Sequence, residues 1–216
     1  MSKVNIYLFL ITILTIQSQR TGFCWFLFKT IVVDFDFKKT HHFQNTLGLS
    51  IFEKNKSLKK KVLFVCLGNI CRSPSAEAVF NGIVAKHGVA DQFIVDSAGT
   101  SGYHAGEMAD ARMQQHARKR GYELTSISRK FNPARDFDQF DYIIGMDAEN
   151  VDNLRLLARG PGDLAKIHLM TDFSETTHSE GVPDPYYGGS RGFELVLDLL
   201  EQAGTGLFNQ LTKKLK

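Results

Sequence analysis

Cysteine is scarce in this sequence, with three in 216 residues: Cys24, Cys66 and Cys71. A disulfide framework is excluded at that density, and a reducing compartment, the cytoplasm, is the expected setting. Also missing is an apolar run of about 20 residues, the length that a spanning helix needs. Residues 4–16 stop short of it, and Arg20 interrupts any extension toward the aromatic stretch 23–28. No set of His, Cys and carboxylate residues has metal-ligand spacing, so no metal or other cofactor is expected. A positive surplus is absent from most of the chain. The formal net charge of +3 arises because residues 1–60 hold nine Lys and Arg against three Asp and Glu, while the remainder is net negative. That removes the support for nucleic-acid binding.

What is present divides in two. Residues 1–60 form an atypical N-terminal extension with three competing readings: a weak signal or membrane anchor, a disordered or interacting segment, and translated upstream sequence from a misplaced start. Only Lys3 precedes the apolar run, no small-residue cleavage site follows it, and no Met lies between Met1 and Met108. Membrane association of this segment and the oligomeric state stay open. Residues 61–216 have the alternation of apolar and polar stretches of one globular domain.

That domain is organised around Val62 to Ser75. The apolar run Val62–Val65 reads as a strand. It meets a turn containing Gly68 and Asn69, and Ser73-Pro74 then reads as a helix start, with Ser as cap and Pro first in the helix. Cys66 and Arg72 are separated by five residues, so a short loop can curl both side chains and several backbone N–H groups onto one point. Such a nest at a helix N-terminus attracts anions and favours the thiolate of Cys66 as a nucleophile. Arg72 offers a planar fork that fits two oxygens of a phosphate. No Gly-Lys-Ser/Thr follows the turn, so this is not a nucleotide-binding loop.

Here the chain resembles the low-molecular-weight protein tyrosine phosphatases. Cys66, Leu67, Gly68, Asn69, Ile70, Cys71, Arg72 and Ser73 meet that family's loop signature, and Asp184-Pro-Tyr-Tyr187 meets its second. The resemblance implies a Rossmann-like fold, phosphotyrosine-containing protein substrates and the following roles. Cys66 is the nucleophile, Arg72 and the loop 67–73 hold phosphate, and Asp184 is the acid and then the base. Ser97 supports the loop, while Tyr103, Tyr186 and Tyr187 line the substrate cleft. Asn69 and Ser73 fix the loop, and Glu77 is either part of that network or an exposed helix residue. Cys71 lies within reach of Cys66, so oxidation is expected to join them reversibly.

The rest of the domain alternates strands with helices, the mark of a doubly wound α/β fold whose four-stranded parallel sheet carries helices on both faces. A first helix is expected from about Pro74 to Lys86, with Ala76, Val79, Phe80, Ile83 and Val84 on one stripe. Strands are expected at Phe93–Val95, Tyr142–Met146 and Lys166–Met170. A helix over about 111–120, capped by Asp110, carries His116, Arg118, Lys119 and Arg120 as a solvated face. Asp147 reads as a helix cap with no further role. The final helix, from Gly192, is expected to fray or break near Gly204 and Gly206.

Three rivals remain. A thiol-dependent arsenate reductase needs further cysteines, and none follows Cys71. A non-catalytic phosphate-binding module would need neither Cys66 nor Asp184. A protein-arginine phosphatase on the same scaffold differs at a single loop residue, where Ile70 resembles the tyrosine-directed form.

Overall fold

The computed structural model describes residues 59–175 and 180–213, apart from the side chain of Tyr187. The expectations for the N-terminal extension fall almost wholly on residues 1–58 and lie outside the described residues. Among the described residues no helix is long and apolar enough to cross a membrane.

The order of elements is β1 (Lys60–Cys66), α1 (Arg72–Lys86), β2 (Phe93–Gly99), α2 (Ala111–Lys119), α3 (Pro133–Gln139), β3 (Tyr142–Gly145), α4 (Ala148–Leu157), α5 (Pro161–Leu164), β4 (Ile167–Leu169) and α6 (Gly189–Lys213). The four strands pair in parallel in the order β2-β1-β3-β4. β1 is therefore central, and its five residues from Val62 to Cys66 are all buried. Period-two alternation sends them to opposite sides. Val62, Phe64 and Cys66 enter a core shared with α1, α2 and α6, while Leu63 and Val65 enter a second core with α3, α4 and β4. The doubly wound expectation holds.

The predicted stripe on α1 packs as read: Ala76, Val79, Phe80 and Val84 are buried, and Ile83 is half-buried against the same core. Phe80 meets Phe64 and Phe93 edge to face, with centroids 5.8 and 5.6 Å apart. Strand ends differ by a few residues from the sequence reading; β2 continues to Gly99, which puts Ser97 inside the sheet. α3 went unread, although its signal was present: Asn132 caps it, accepting from the N–H groups of Ala134 and Arg135, and Pro133 opens it.

Two expectations are corrected. α6 neither frays nor breaks at its glycines but runs unbroken to Lys213. Tertiary packing outweighs the propensity cost, because these positions need the missing side chain. A Cβ at Gly204 would lie 3.0 Å from Ile83 Cδ1, and one at Gly206 would lie 1.8 Å from the Phe173 carbonyl oxygen. The basic run on α2 is likewise not one solvated face. His116 is buried, stacks on Phe193 at 5.3 Å, and its Nδ1 lies 2.6 Å from Glu194 Oε1. Arg120 reaches Glu194, Asp198 and Glu201 on α6. Helical periodicity divides the run, so only Arg118 and Lys119 remain exposed.

Gly206→Ala tests the close approach of α6. The added methyl overpacks against backbone, so the variant loses roughly 1–3 kcal/mol of stability even though Ala is the better helix former. The urea midpoint measures this, and a variant of equal or greater stability would contradict the packing argument.

Candidate active site

β1 ends at Cys66 and α1 begins at Arg72, two residues earlier than Ser73 would place it as cap. The capping role read for Ser73 is thus corrected: Cys71 occupies the cap without a side-chain bond, and Ser73 lies inside the first turn. Its hydroxyl is employed elsewhere, 3.1 Å from Cys66 Sγ and 3.2 Å from the Ala98 carbonyl.

Between them the chain curls because its carbonyls are held from outside. The carbonyls of Cys66 and Leu67 accept from the N–H groups of Thr100 and Ser101, at 2.9 Å each. The Gly68 carbonyl accepts from Ser128 Oγ at 3.0 Å, and the Ile70 carbonyl accepts from the Asp110 N–H at 2.7 Å. In a trans peptide the next N–H points opposite to the carbonyl. The N–H groups of Leu67, Gly68, Asn69 and Cys71 therefore turn to the concave side, where Asn69 N–H lies 3.3 Å from Cys66 Sγ. Close approach is built in at Gly99, where a Cβ would stand 2.7 Å from the Leu67 carbonyl oxygen.

Asn69 takes φ +55°, a left-handed backbone unusual for a residue with a side chain. Its amide holds it there. Nδ2 donates to Ser73 Oγ and to Ser97 Oγ, at 2.9 Å each, while Oδ1 accepts from the Arg129 N–H at 2.8 Å. Ser97 in turn donates to Glu77 Oε2 at 2.6 Å. Glu77 thus belongs to the network, and burial pushes its carboxyl above the usual range, partly offset by the hydroxyls of Ser97 and Ser126. Arg129 is fixed by Asp96 and by fully buried Asp136.

Arg72 is buried, and its guanidinium gathers groups from far along the chain. Nη1 donates to Asp147 and to the Val182 carbonyl at 3.1 Å, and Nη2 donates to Asp184 Oδ2 at 3.3 Å. Burial opposes its charge, but Cys66, Asp147 and Asp184 outweigh that and raise its pKa. Asp147 is the residue that sequence reasoning undervalued. It does cap α4, accepting from Asn150 N–H at 2.7 Å, yet its second oxygen pairs with Arg72. A cap signal fully accounts for an Asp in a sequence, so nothing local betrays the second partner.

Asp184 stands half-exposed, its side chain 52% accessible, and accepts from the Tyr186 N–H at 3.0 Å. Tyr186 follows in a single turn, Pro185–Tyr187, with 58% exposure; the Tyr187 side chain lies outside the described residues. Tyr103 lies in the loop that follows β2, 85% exposed, with its ring edge-on to His104 at 5.0 Å. Cys71 and Cys66 are both free thiols. Burial, then the neighbouring Cys66, pushes the Cys71 thiol far up, so it stays protonated. The structure brings Cys66, Arg72, Ser73, Ser97 and Asp184 together, with Tyr186 beside Asp184.

The family described as Low molecular weight phosphotyrosine protein phosphatase matches residues 61–216. A putative low molecular weight protein-tyrosine-phosphatase of Synechocystis is 46% identical over 157 residues, covering 72% of this chain and 98% of its own. A crystal structure of a protein tyrosine phosphatase from Entamoeba histolytica aligns with TM-score 0.70 at 45% identity, covering 73% of this chain and all of the other. A Drosophila arginine phosphatase aligns with TM-score 0.65 at 34% identity, over 70% of this chain and 97% of its own.

The raised Glu77 carboxyl has a sign that can be measured. A carboxyl that binds its proton more tightly folded than unfolded stabilises at low pH, and that contribution is lost as pH rises through the folded value. The stability of the wild type relative to Glu77→Gln therefore falls as the pH is raised through and above the range in which an ordinary glutamate titrates. Paired denaturant titrations across that range check it, and a pH-independent difference would refute it.

Proposed function

The chain belongs to the low molecular weight phosphotyrosine protein phosphatases, and from that premise we propose that it hydrolyses protein phosphotyrosine at Cys66 in two steps. The observation that carries this reading is the meeting of Arg72 with Asp184, a residue 112 positions away that reaches its Nη2 at 3.3 Å beside a buried, hydroxyl-bonded thiol. Phosphoprotein substrates and phosphatase chemistry follow from the family; the residue roles below are our reading.

In the first step the Cys66 thiolate attacks phosphorus in line, and the phosphorus–oxygen bond to the tyrosine breaks. The inward N–H groups of the loop and the Arg72 fork hold the equatorial oxygens, where charge collects in the transition state. A phosphate arriving at Arg72 competes with Asp184 for the Nη2 donor, which leaves that carboxyl facing the departing oxygen. Asp184 as acid gives it a proton, so tyrosine departs as the neutral phenol and phosphocysteine remains. In the second step the Asp184 carboxylate takes a proton from water as the water attacks phosphorus. The sulfur–phosphorus bond breaks, and phosphate and thiolate are released. Ser73 supports both steps. Asn69 spends its two amide hydrogens on Ser73 and Ser97, so the one Ser73 proton goes to either the Ala98 carbonyl at 3.2 Å or the sulfur at 3.1 Å, and a thiolate is the stronger competitor.

Tyr186, Tyr187 and Tyr103 serve as walls of a slot deep enough for an aryl phosphate. The free thiols of Cys66 and Cys71 fit a cytoplasmic setting. They also support a protective cycle: peroxide oxidises Cys66 to the sulfenic acid, the Cys71 thiol displaces water to form a disulfide, and an external thiol reduces it.

Two experiments test these roles. Wild type turns over a phosphotyrosine peptide, Cys66→Ser is inactive, and Asp184→Ala loses roughly 10²–10⁴-fold in kcat. Faster turnover of a phosphoarginine peptide would move the specificity to the sister activity, and binding without turnover would make the site a phosphate-reading module. Peroxide-inactivated wild type regains activity with dithiothreitol, whereas Cys71→Ser does not; equal recovery would remove the protective role.

A further inference from the structure

We propose that Arg112 is a positioning residue that sets substrate specificity by clamping Tyr186, the aromatic wall beside the acid, to a rigid part of the fold. The inference rests on the phosphatase reading above and extends it to a residue which that chemistry does not use.

Tyr186 sits in a single turn of an exposed loop, with 58% of its surface accessible. The Arg112 guanidinium lies over its ring, 5.2 Å from the centroid. The same guanidinium lies 5.2 Å from the ring of Phe193, which is buried and stacks on buried His116. One cation thus bridges an exposed wall and a core ring. Its plane is locked by Asp110: Nε donates to Oδ1 at 3.1 Å and Nη2 donates to Oδ2 at 2.7 Å. Asp110 itself cannot swing. It caps α2, accepting from the N–H groups of Arg112 and Met113, and its own N–H donates to the Ile70 carbonyl at 2.7 Å. A continuous path therefore runs from the phosphate loop through Asp110 and Arg112 to the wall next to Asp184.

The bidentate pair decides which role the cation plays. With Asp110 neutralising it and holding both ends of the fork, Arg112 is a poor attractor for a second anion and a good flat surface for a ring. A wall fixed in place favours esters whose leaving group is a ring that fills the slot, and does nothing for the phosphate itself. Arg112 accordingly acts on aryl groups and not on phosphorus. Lys cannot replace it, because an ammonium has neither the plane nor the fork.

The test uses the full chain as wild type, Arg112→Lys, Arg112→Ala, Tyr186→Ala and the double variant Arg112→Ala/Tyr186→Ala. Competitive inhibition by benzylphosphonate, methylphosphonate and inorganic phosphate is measured beside KM and kcat for p-nitrophenyl phosphate, with calorimetric binding of the same three ligands. Both Arg112 variants weaken benzylphosphonate and raise KM by roughly 3- to 10-fold, while phosphate and methylphosphonate bind as in wild type. In the Tyr186→Ala background, Arg112→Ala has no further effect. Equal weakening of all three ligands, unchanged benzylphosphonate affinity, wild-type behaviour of Arg112→Lys, or additive losses in the double variant would each overturn the clamp. Calorimetry reads the clamp without turnover. Loss of the phosphatase reading would instead appear as a wild type no more active than Cys66→Ser.

Discussion

The amide of Asn69 is the constraint on which the site depends. It holds a non-glycine residue at φ +55° and binds Ser73, Ser97 and the Arg129 backbone at once. Each bond has a fixed direction because an amide has two hydrogens to give and one oxygen to accept with. Ser97 must pass its proton to Glu77, and Ser73 has the Ala98 carbonyl and the Cys66 sulfur as acceptors for its own. A change anywhere along this line reaches the hydroxyl beside the Cys66 thiol, although Glu77 lies further along α1 and Arg129 lies beyond α2. Such a network is stabilising only when every member is satisfied, and Arg129 adds its ion pairs with Asp96 and Asp136 to keep the acceptor side in place.

The sheet supplies the second requirement, a point where distant segments meet. In the order β2-β1-β3-β4 the chain leaves β1 toward β2 on one side and takes up β3 on the other. The crevice opens at the carboxyl ends of β1 and β3, as it does in open α/β sheets generally. Cys66 ends β1, and Asp147 stands just past β3. Buried Arg72 thereby reaches a carboxylate 75 positions away and another 112 positions away. A buried guanidinium with one partner removed is costly, so Asp147 and Asp184 share structural and chemical duties. Exposure separates them: the Asp184 side chain is 52% accessible and that of Asp147 29%.

α2 and α6 form the outer brace of this arrangement. His116, Arg120, Phe193 and Glu194 tie the two helices together immediately beside the loop that carries Asp184. The rim of the cleft is therefore mounted on packed helices at one end and on the phosphate loop, through Asp110 and Ile70, at the other.

Much was legible in the sequence because the informative signals are local. The apolar run before Cys66, the five-residue spacing to Arg72 and the Asp184-Pro-Tyr-Tyr187 segment each lie within a few residues, and strand-helix alternation with fully apolar strands prescribes a parallel sheet buried on both faces. What escaped depends on partners remote in sequence. Ser73 looked like a cap because its neighbour is Pro, yet an earlier helix start freed its hydroxyl for the thiol. Gly204 and Gly206 looked like breaks because propensity is local, yet Ile83 and the Phe173 carbonyl occupy the space their side chains would need. Asp147 looked complete as a cap. The sequence by itself determined the chemistry available, a thiol, a fork of donors and a carboxyl in the right order. Only the tertiary structure decided which carboxylates face Arg72 and which ring Arg112 covers, because these choices are made by contacts across more than 70 intervening residues that no local pattern encodes.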